Sequence, residues 1–321
     1  MYRLRDFLQM LRIHTAPATV ILLVSSYVAG GGGLFSLLGL ILLVYGIALH
    51  GSTFGHNVVM DYYWDIRDEG KKHHPLVAGR IKLTEAVNTV MPFLGLCLAV
   101  GLILAYGDYW ATFWFALFIT CGFLYNNWLS KTTVWGWIPI TACFTSLSLY
   151  AMSLASSINI LYALYIMFTI WFQIGWSGYL KEIQVEEQAN LLRRLGVRVS
   201  GGWLHIPVIA KLFGGAVKSG NIASAILLIS SLNLLKAPVS LAIVSFFLTV
   251  MAYMMFKLLR SRSWDRMVEL KRMSVMEIAT IYAGMFMVMP IVEASILAVF
   301  GIAWFTAMNR LLWETKLTPR V

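Results

Sequence analysis

The chain has 321 residues and a formal net charge of +10, with 59% of its residues hydrophobic and only 12% charged. That balance is far from the half-apolar, quarter-charged composition of a water-soluble domain, and it argues against a soluble enzyme. The basic residues are scattered over several loops with no nucleic-acid fold pattern, which argues against a nucleic-acid binder. Long apolar runs, rather than alternations of about ten residues, predict an all-α integral membrane protein and not an outer-membrane barrel.

In chain order, apolar spans are expected near 15–30, 34–60, 83–105, 109–129, 134–153, 158–180, 221–235, 238–257, 275–291 and 294–312. The seventh is short and the last two also read as one broken helix, so the expectation is a bundle of nine or ten transmembrane helices forming one domain over 1–321. Arg3, Arg5 and Arg12 before an apolar stretch resemble a signal peptide. The first helix is read as retained, because its crossing starts a consistent charge count. With the N-terminus in the cytoplasm, nearly every basic residue falls on the inner side and only Lys236 falls outside, as expected of a multi-pass plasma-membrane protein. Topology thus explains most of the net charge, although the same surface also attracts anionic headgroups and diphosphates.

The long polar connections, 61–82, 181–220 and 258–274, all fall on that inner side, so an active site is expected at the cytoplasmic face. Within the second, Gly201, Gly202, Pro207, Gly214, Gly215 and Gly220 interrupt helical periodicity and predict a lid or re-entrant piece. The run Gly30 to Gly33 lacks the strand and Lys of a phosphate loop and reads as a tight outer turn. Cys97, Cys121 and Cys143 lie in three separate spans without ligand spacing and are read as packing residues.

Asn57, Asp61 and Asp65 stand at four-residue steps at the inner end of the second span, a spacing that stacks them on one helical face. Ionisable groups at the edge of a membrane segment are costly to keep and point to function. Gly51 and Gly55 form a small-xxx-small step that lets a neighbouring helix approach closely beside the acids. Mg²⁺ takes one or two carboxylates together with water and phosphate oxygens, which suits Asp61 and Asp65, with Asn57 orienting a ligand or bound water. The bland alternative is an ordinary helix end with solvated acids. Glu182 and Glu186 repeat the four-residue step after the sixth span, with Lys181, Arg193, Arg194 and Arg198 alongside. Two such clusters on one side suggest metal ions gripping a polyanion, the bases holding phosphate oxygens.

These motifs resemble those of the UbiA-type intramembrane prenyltransferases. Asn57, Asp61 and Asp65, followed by Lys72-His73-His74-Pro75-Leu76 and Gly79-Arg80, are similar to the family's first motif. Lys181-Glu182-Ile183-Gln184-Val185-Glu186 and Leu195-Gly196-Val197-Arg198 are similar to its second, and Tyr125 and Lys131 match the Tyr and Lys between the two. The opening Leu11-Arg12-Ile13-His14 also looks like the family's start, so the resemblance spans nearly the whole chain. The departures mark a divergent branch. Val58 stands where many members have Asp, His74 where Arg precedes Pro-Leu, and Glu182, Gln184 and Glu186 replace second-motif acids.

The resemblance implies transfer of a prenyl group from an isoprenoid diphosphate to a lipophilic acceptor within the membrane, assisted by Mg²⁺, two ions in the family's pattern. Asn57, Asp61, Asp65, Glu182 and Glu186 would then hold metal. Lys72, His74, Arg80, Tyr125, Lys131, Lys181 and Arg198 would face the diphosphate. The chemistry is coherent, since an allylic diphosphate ionises to a carbocation and pyrophosphate and both need stabilising. Aromatic residues near the motifs, among them Tyr62, Tyr63, Trp64, Trp128, Trp176 and Tyr179, suit shelter of the cation. A lateral opening would leave the donor tail in membrane lipid. The acceptor stays open between an aromatic quinone precursor and an archaeal geranylgeranylglyceryl phosphate. Terpene cyclisation, an ion-coupled transporter and a scaffold that has lost catalysis are the alternative readings.

Overall fold

The computed structural model describes residues 4–185 and 188–313. Ten long helices dominate the described residues: α1 (Ala16–Ala29), α2 (Leu37–Met60), α3 (Leu83–Leu104), α4 (Tyr109–Leu124), α5 (Trp137–Leu154), α6 (Ile160–Phe172), α7 (Val208–Ser231), α8 (Pro238–Leu259), α9 (Arg266–Val288) and α10 (Ile291–Trp313). A short helix, Leu4–Met10, precedes α1 and is bent from it by 57°. The only strands among the described residues are β1 (Arg198–Ser200) and β2 (Trp203–His205), an antiparallel hairpin with Arg198 opposite His205.

Local chemistry sets the helix starts. Ser36, Asp108, Asn159 and Asp265 each accept a hydrogen bond from a first-turn amide of α2, α4, α6 and α9, and a proline stands in the first turn of α1 and of α8. The outer turn expected at Gly30–Gly33 is present. A Cβ on Gly30 would lie 2.6 Å from the Met152 carbonyl oxygen, and Gly31 has φ +98°.

Among the described residues, seven helices are long and apolar enough to cross a membrane, and an eighth joins them if the bent N-terminal pair is one span. The α4 helix is short before its geometry changes, and α9 begins with Arg266, Glu269, Lys271 and Arg272. The expected last two spans are separate helices broken at Met289–Pro290. The expected lid over 200–220 is absent: after the hairpin the chain enters α7, which runs from Val208 to Ser231 and replaces the short span read at 221–235. Gly214 and Gly220 within it are contact points and not breaks. A Cβ on Gly214 would lie 3.1 Å from the Trp176 ring, and one on Gly220 2.6 Å from Phe168.

The most apolar stretches of α8 and α10 are only 17% buried, against 67% for α5. An apolar surface so exposed on α8 and α10 belongs in lipid, with α5 at the centre of the bundle. Polar groups bridge the helices inside. Ser26 meets Ser148 at 2.7 Å, Tyr150 donates to the Gly101 carbonyl at 2.9 Å, and Tyr165 donates to the Thr280 carbonyl at 2.6 Å. Each such bond contributes about 0.6 kcal/mol in a bilayer. Cys97, Cys121 and Cys143 are buried free thiols.

Candidate active site

One end of the bundle gathers the chain's polar connections. Asp61 caps α2 and a separate four-residue helix, Tyr62–Asp65, follows it, with two bonds of helical spacing linking the three residues: Asp61 N donates to the Asn57 carbonyl at 2.8 Å, and Asp65 N to the Asp61 carbonyl at 2.9 Å. Asn57, Asp61 and Asp65 therefore stay in one row. The Asn57 amide nitrogen donates to Asp61 Oδ2 at 3.2 Å and to Asn126 Oδ1 at 3.1 Å, and Asn126 Nδ2 in turn meets His56 Nδ1 at 2.8 Å. Behind the row, a Cβ on Gly55 would fall 2.7 Å from Leu11 and 3.2 Å from Val90, the close approach of α3 expected there.

The opposite wall is less regular. The α6 helix widens into π-helical turns over Gln173–Gly178 and stops at Lys181, so Glu182 is the first residue beyond it, at φ −101° and ψ 18°. The expectation that Glu182 and Glu186 share a helical face does not hold for Glu182, because the i to i+3 bond from Ile183 N to the Leu180 carbonyl tightens the chain out of the helix. Glu186 lies outside the described residues. The α4 helix likewise ends in π-helical turns, Tyr125–Leu129, just before Lys131. Such turns occur mostly as local features of functional sites.

Lysines hold the acids. Lys131 Nζ lies 2.9 Å from Glu182 Oε1, 3.3 Å from Gln188 Oε1 and 3.9 Å from Asp61 Oδ2, so one ammonium spans the two walls. Lys71 Nζ donates to Asp65 Oδ1 at 2.5 Å, and both side chains are buried. Burial opposes charge on Asp61, Glu182 and Lys131. It raises the pKa of Asp61 despite the nearby Lys131. It works against Glu182 as well, but Lys131 and Lys71 outweigh it and hold the Glu182 carboxyl below its usual value. Burial would also lower Lys131, and Glu182 and Asp61 overcome it and hold that ammonium above its ordinary range.

A cavity of about 240 Å³ opens between the walls. Its polar end is lined by Arg12, Asn57, Asp61, Lys71, Lys131, Lys181, Glu182 and Arg266, and its apolar end by Leu94, Leu98, Phe118, Ile119, Phe144 and Ile174. Of the predicted residues, Asn57, Asp61, Glu182, Tyr125, Lys131 and Lys181 line it together, and Asp65 reaches it through Lys71.

The other predicted residues are placed elsewhere. Lys72 is exposed and pairs with Glu69 at 2.5 Å, while its neighbour Lys71 takes the cavity position. Arg80 donates to Asp6 at 2.7 Å and to Gln9 at 3.1 Å, and Arg198 stands exposed on the hairpin. His74 is buried with neither ring nitrogen hydrogen-bonded. Burial first, then the charges of Arg12, Lys71 and Arg80, lower its pKa to about 3.

Sequence reasoning did not single out Arg12, Asn126 or Arg266 for this site. Arg12 has φ 51°, a left-handed conformation that few non-glycine residues adopt. Arg266 pairs with Asp68 at 3.4 Å, which holds the Asp68 carboxyl below its usual value although burial pushes the other way.

Three carboxylates and an amide oxygen are the hard donors that Mg²⁺ takes. Among the described residues no three acids stand close enough to hold one ion alone, so an ion here would complete its shell with water or substrate oxygens. The Lys131 ammonium, which touches Glu182 and approaches Asp61, marks the place where positive charge is wanted. The residues present fit the group.

The profile of the UbiA prenyltransferase family matches residues 18–266. No curated protein matches the chain in sequence. Among solved structures, an apo UbiA homologue from Aeropyrum pernix K1 is similar with a TM-score of 0.59 at 14% identity, covering 85% of this chain and 95% of that one. A UbiA homologue from Archaeoglobus fulgidus bound to DMAPP and Mg²⁺ gives 0.56 at 14% identity, covering 97% and 100%. A structure described as digeranylgeranylglyceryl phosphate synthase gives 0.53 at 17% identity, covering 89% and 99%. With its fold shared across these structures and the family profile spanning most of its length, the chain belongs to the UbiA prenyltransferase family.

Proposed function

We propose that this protein transfers a prenyl group from an isoprenoid diphosphate to a lipophilic acceptor within the membrane, with Mg²⁺ at its acidic walls. The observation that carries the reading is a single cavity with acids and lysines at one end and an apolar wall from α3, α4 and α5 at the other. Its volume is small for a long prenyl chain, which supports a tail that lies partly in lipid. Asn57, Asp61, Asp65 and Glu182 would hold metal, with Glu186 as a further donor. The bound ions, two in the family's pattern, would neutralise charge gathering on the leaving diphosphate.

The chain's own residues do the rest. Lys71, Lys131 and Lys181 face the diphosphate oxygens, Lys71 taking the part that the sequence assigned to Lys72. His74, Arg80 and Arg198, which the sequence also assigned to the diphosphate, stand outside the cavity lining. Tyr125 on the cavity wall shields the allylic cation from water. Among the described residues, five cationic side chains line the cavity, a number that supports an acceptor with an anionic head beside the donor diphosphate. An aromatic acid on the way to a quinone and geranylgeranylglyceryl phosphate both meet that description. Digeranylgeranylglyceryl phosphate synthase, the subject of one similar structure, supports the second.

The same reading makes the chain one transmembrane domain with ten crossings of the cell membrane, its N-terminus and charged end towards the cytoplasm. The concentration of Lys and Arg at that end supports the orientation.

The test is pyrophosphate release by the purified protein in detergent, with geranylgeranyl diphosphate, with and without Mg²⁺, against aromatic acids and geranylgeranylglyceryl phosphate. The expected result is Mg²⁺-dependent release that rises with one acceptor and yields its prenylated product. Release that ignores every acceptor would replace transfer with cyclisation or hydrolysis, and no release with any donor would overturn the reading.

A further inference from the structure

Each acid of the site that the structure describes is already matched with a lysine. Lys71 closes on Asp65 at 2.5 Å with both side chains buried, and Lys131 bridges Glu182 at 2.9 Å and Asp61 at 3.9 Å. Buried carboxylates need such partners, because leaving one charge of a pair alone in a low-dielectric site is strongly destabilising. These lysines also line the cavity. A divalent cation needs the carboxylates, and a diphosphate needs the ammonium groups, so each ligand competes with the contact that satisfies the group it wants.

The placement of Lys71 fits an exchange of partners. It ends a short 3₁₀ turn, Glu69–Lys71, whose start is fixed by Asp68 accepting from Gly70 N at 2.8 Å. Asp68 is itself tied to Arg266 at the foot of α9, and a Cβ on Gly70 would run into the Arg266 guanidinium. The backbone of the turn is thereby pinned against another cavity-lining cation. The lysine side chain remains the long, rotatable part, a point charge on a four-carbon stem able to turn from a carboxylate to a neighbouring phosphate oxygen.

We infer that Lys71 is the internal counter-ion of Asp65 in the metal-free protein and changes partner, from carboxylate to diphosphate, when a divalent cation takes Asp65. This rests on the prenyl-diphosphate reading above and adds a thermodynamic consequence to it. Metal alone must displace an ammonium, and diphosphate alone must strip a carboxylate of its partner. Bound together, each releases the group that the other needs. Cation and diphosphate therefore bind with positive coupling, and by linkage the coupling is the same measured from either side.

The experiment uses full-length protein in detergent with Mn²⁺, followed by the loss of its free paramagnetic signal, and inorganic pyrophosphate, followed by calorimetry. In the unsubstituted protein each ligand is expected to tighten the other by about tenfold or more, within the usual range of coupling between sites. Asp65→Asn frees Lys71, so pyrophosphate without metal should bind several-fold tighter than to the unsubstituted protein, a gain that misfolding does not produce. Lys71→Met should tighten Mn²⁺ binding in the absence of pyrophosphate and shrink the coupling to less than about threefold, while Lys271→Met on the exposed face of α9 changes neither.

If both ligands bind and couple in the unsubstituted protein, yet Asp65→Asn leaves metal-free pyrophosphate affinity unchanged or weaker, the exchange is wrong and the prenyl-diphosphate reading stands. If the unsubstituted protein binds neither Mn²⁺ nor pyrophosphate, both fall together.

Discussion

The two acidic walls of the cavity are built differently. Asn57 stands in the last turn of α2, Asp61 caps it and Asp65 ends the short helix Tyr62–Asp65, each linked to the one before by an i to i+4 backbone bond and braced by the close packing behind Gly55. Glu182 stands just past the end of its helix, after a π-helical stretch, and is positioned by its ion pair with Lys131. One wall is placed by backbone and the other by a side-chain contact, so the first should be intolerant of any change in length and the second tolerant of small ones. A helix-borne carboxylate cannot shift without its neighbours, whereas a turn absorbs a methylene by small changes in φ and ψ. The shorter acid is used on the rigid wall and the longer one on the irregular wall, in keeping with that division.

The largest expected effect is on the rigid wall. Asp61→Glu should lower Mg²⁺-dependent pyrophosphate release by about 100-fold or more, since a misplacement of about 1 Å costs that much at a reacting centre. Glu182→Asp should cost only about tenfold by the same argument, because the turn moves to compensate. Steady-state rates of the two variants, measured side by side, decide it, and equal losses would dissolve the contrast between the walls.

A smaller effect is expected from the contact that joins them. Lys131→Met removes the ammonium spanning Glu182 and Asp61, and should lower release by about 10-fold to 100-fold, below the upper end for loss of one electrostatic donor. It should also let Glu182 drift, so that Glu182→Asp costs little more in the Lys131→Met background. A double-mutant cycle on release rates tests this, and strict additivity would show that Lys131 does not position Glu182.

The smallest effect lies away from both walls. His74 is buried, unpaired and held to a pKa of about 3, against 6.5 for a free histidine. Between those values the unfolded chain takes up a proton that the folded chain refuses, so stability is lost as pH falls from about 6.5 towards 3. His74→Leu should flatten the decline in melting temperature between about pH 7 and pH 5, with little change at pH 8. An unchanged slope would mean that His74 is solvated or paired in solution.

The walls also differ in how far they can be read from the sequence. Asn57, Asp61 and Asp65 were legible because their four-residue spacing matches the two i to i+4 backbone bonds that link them, although α2 itself ends at Met60. At Glu182 the same spacing argument failed, because hydrophobic periodicity does not register where a helix widens into π-turns and stops. The choice of Lys72 over Lys71 failed in the same way. Loop 66–82 has no period, and a tight 3₁₀ turn decides which lysine faces inward. Gly214 and Gly220 looked like breakers because a glycine that ends a helix and one that admits a neighbouring ring are identical in sequence. Arg12 lies just before the matched region and Arg266 at its end, and both reach the cavity only through the packing of the bundle, which no local pattern encodes. The helical membrane character was plain from composition alone.

The π-turns at Tyr125–Leu129 and Gln173–Gly178 have a consequence for how this site changes over time. A π-turn contains one more residue than the α-turn it replaces, so each stretch is a place where the chain carries a surplus residue without losing its helix. Deleting one residue at either place would restore ordinary helical winding upstream and leave the membrane span intact. It would also draw in the widened turns themselves, whose Tyr125 and Asn126, or Ile174 and Gly178, line the cavity. The fold thus keeps two points at which loss of a single residue would reshape the cavity wall and spare the scaffold.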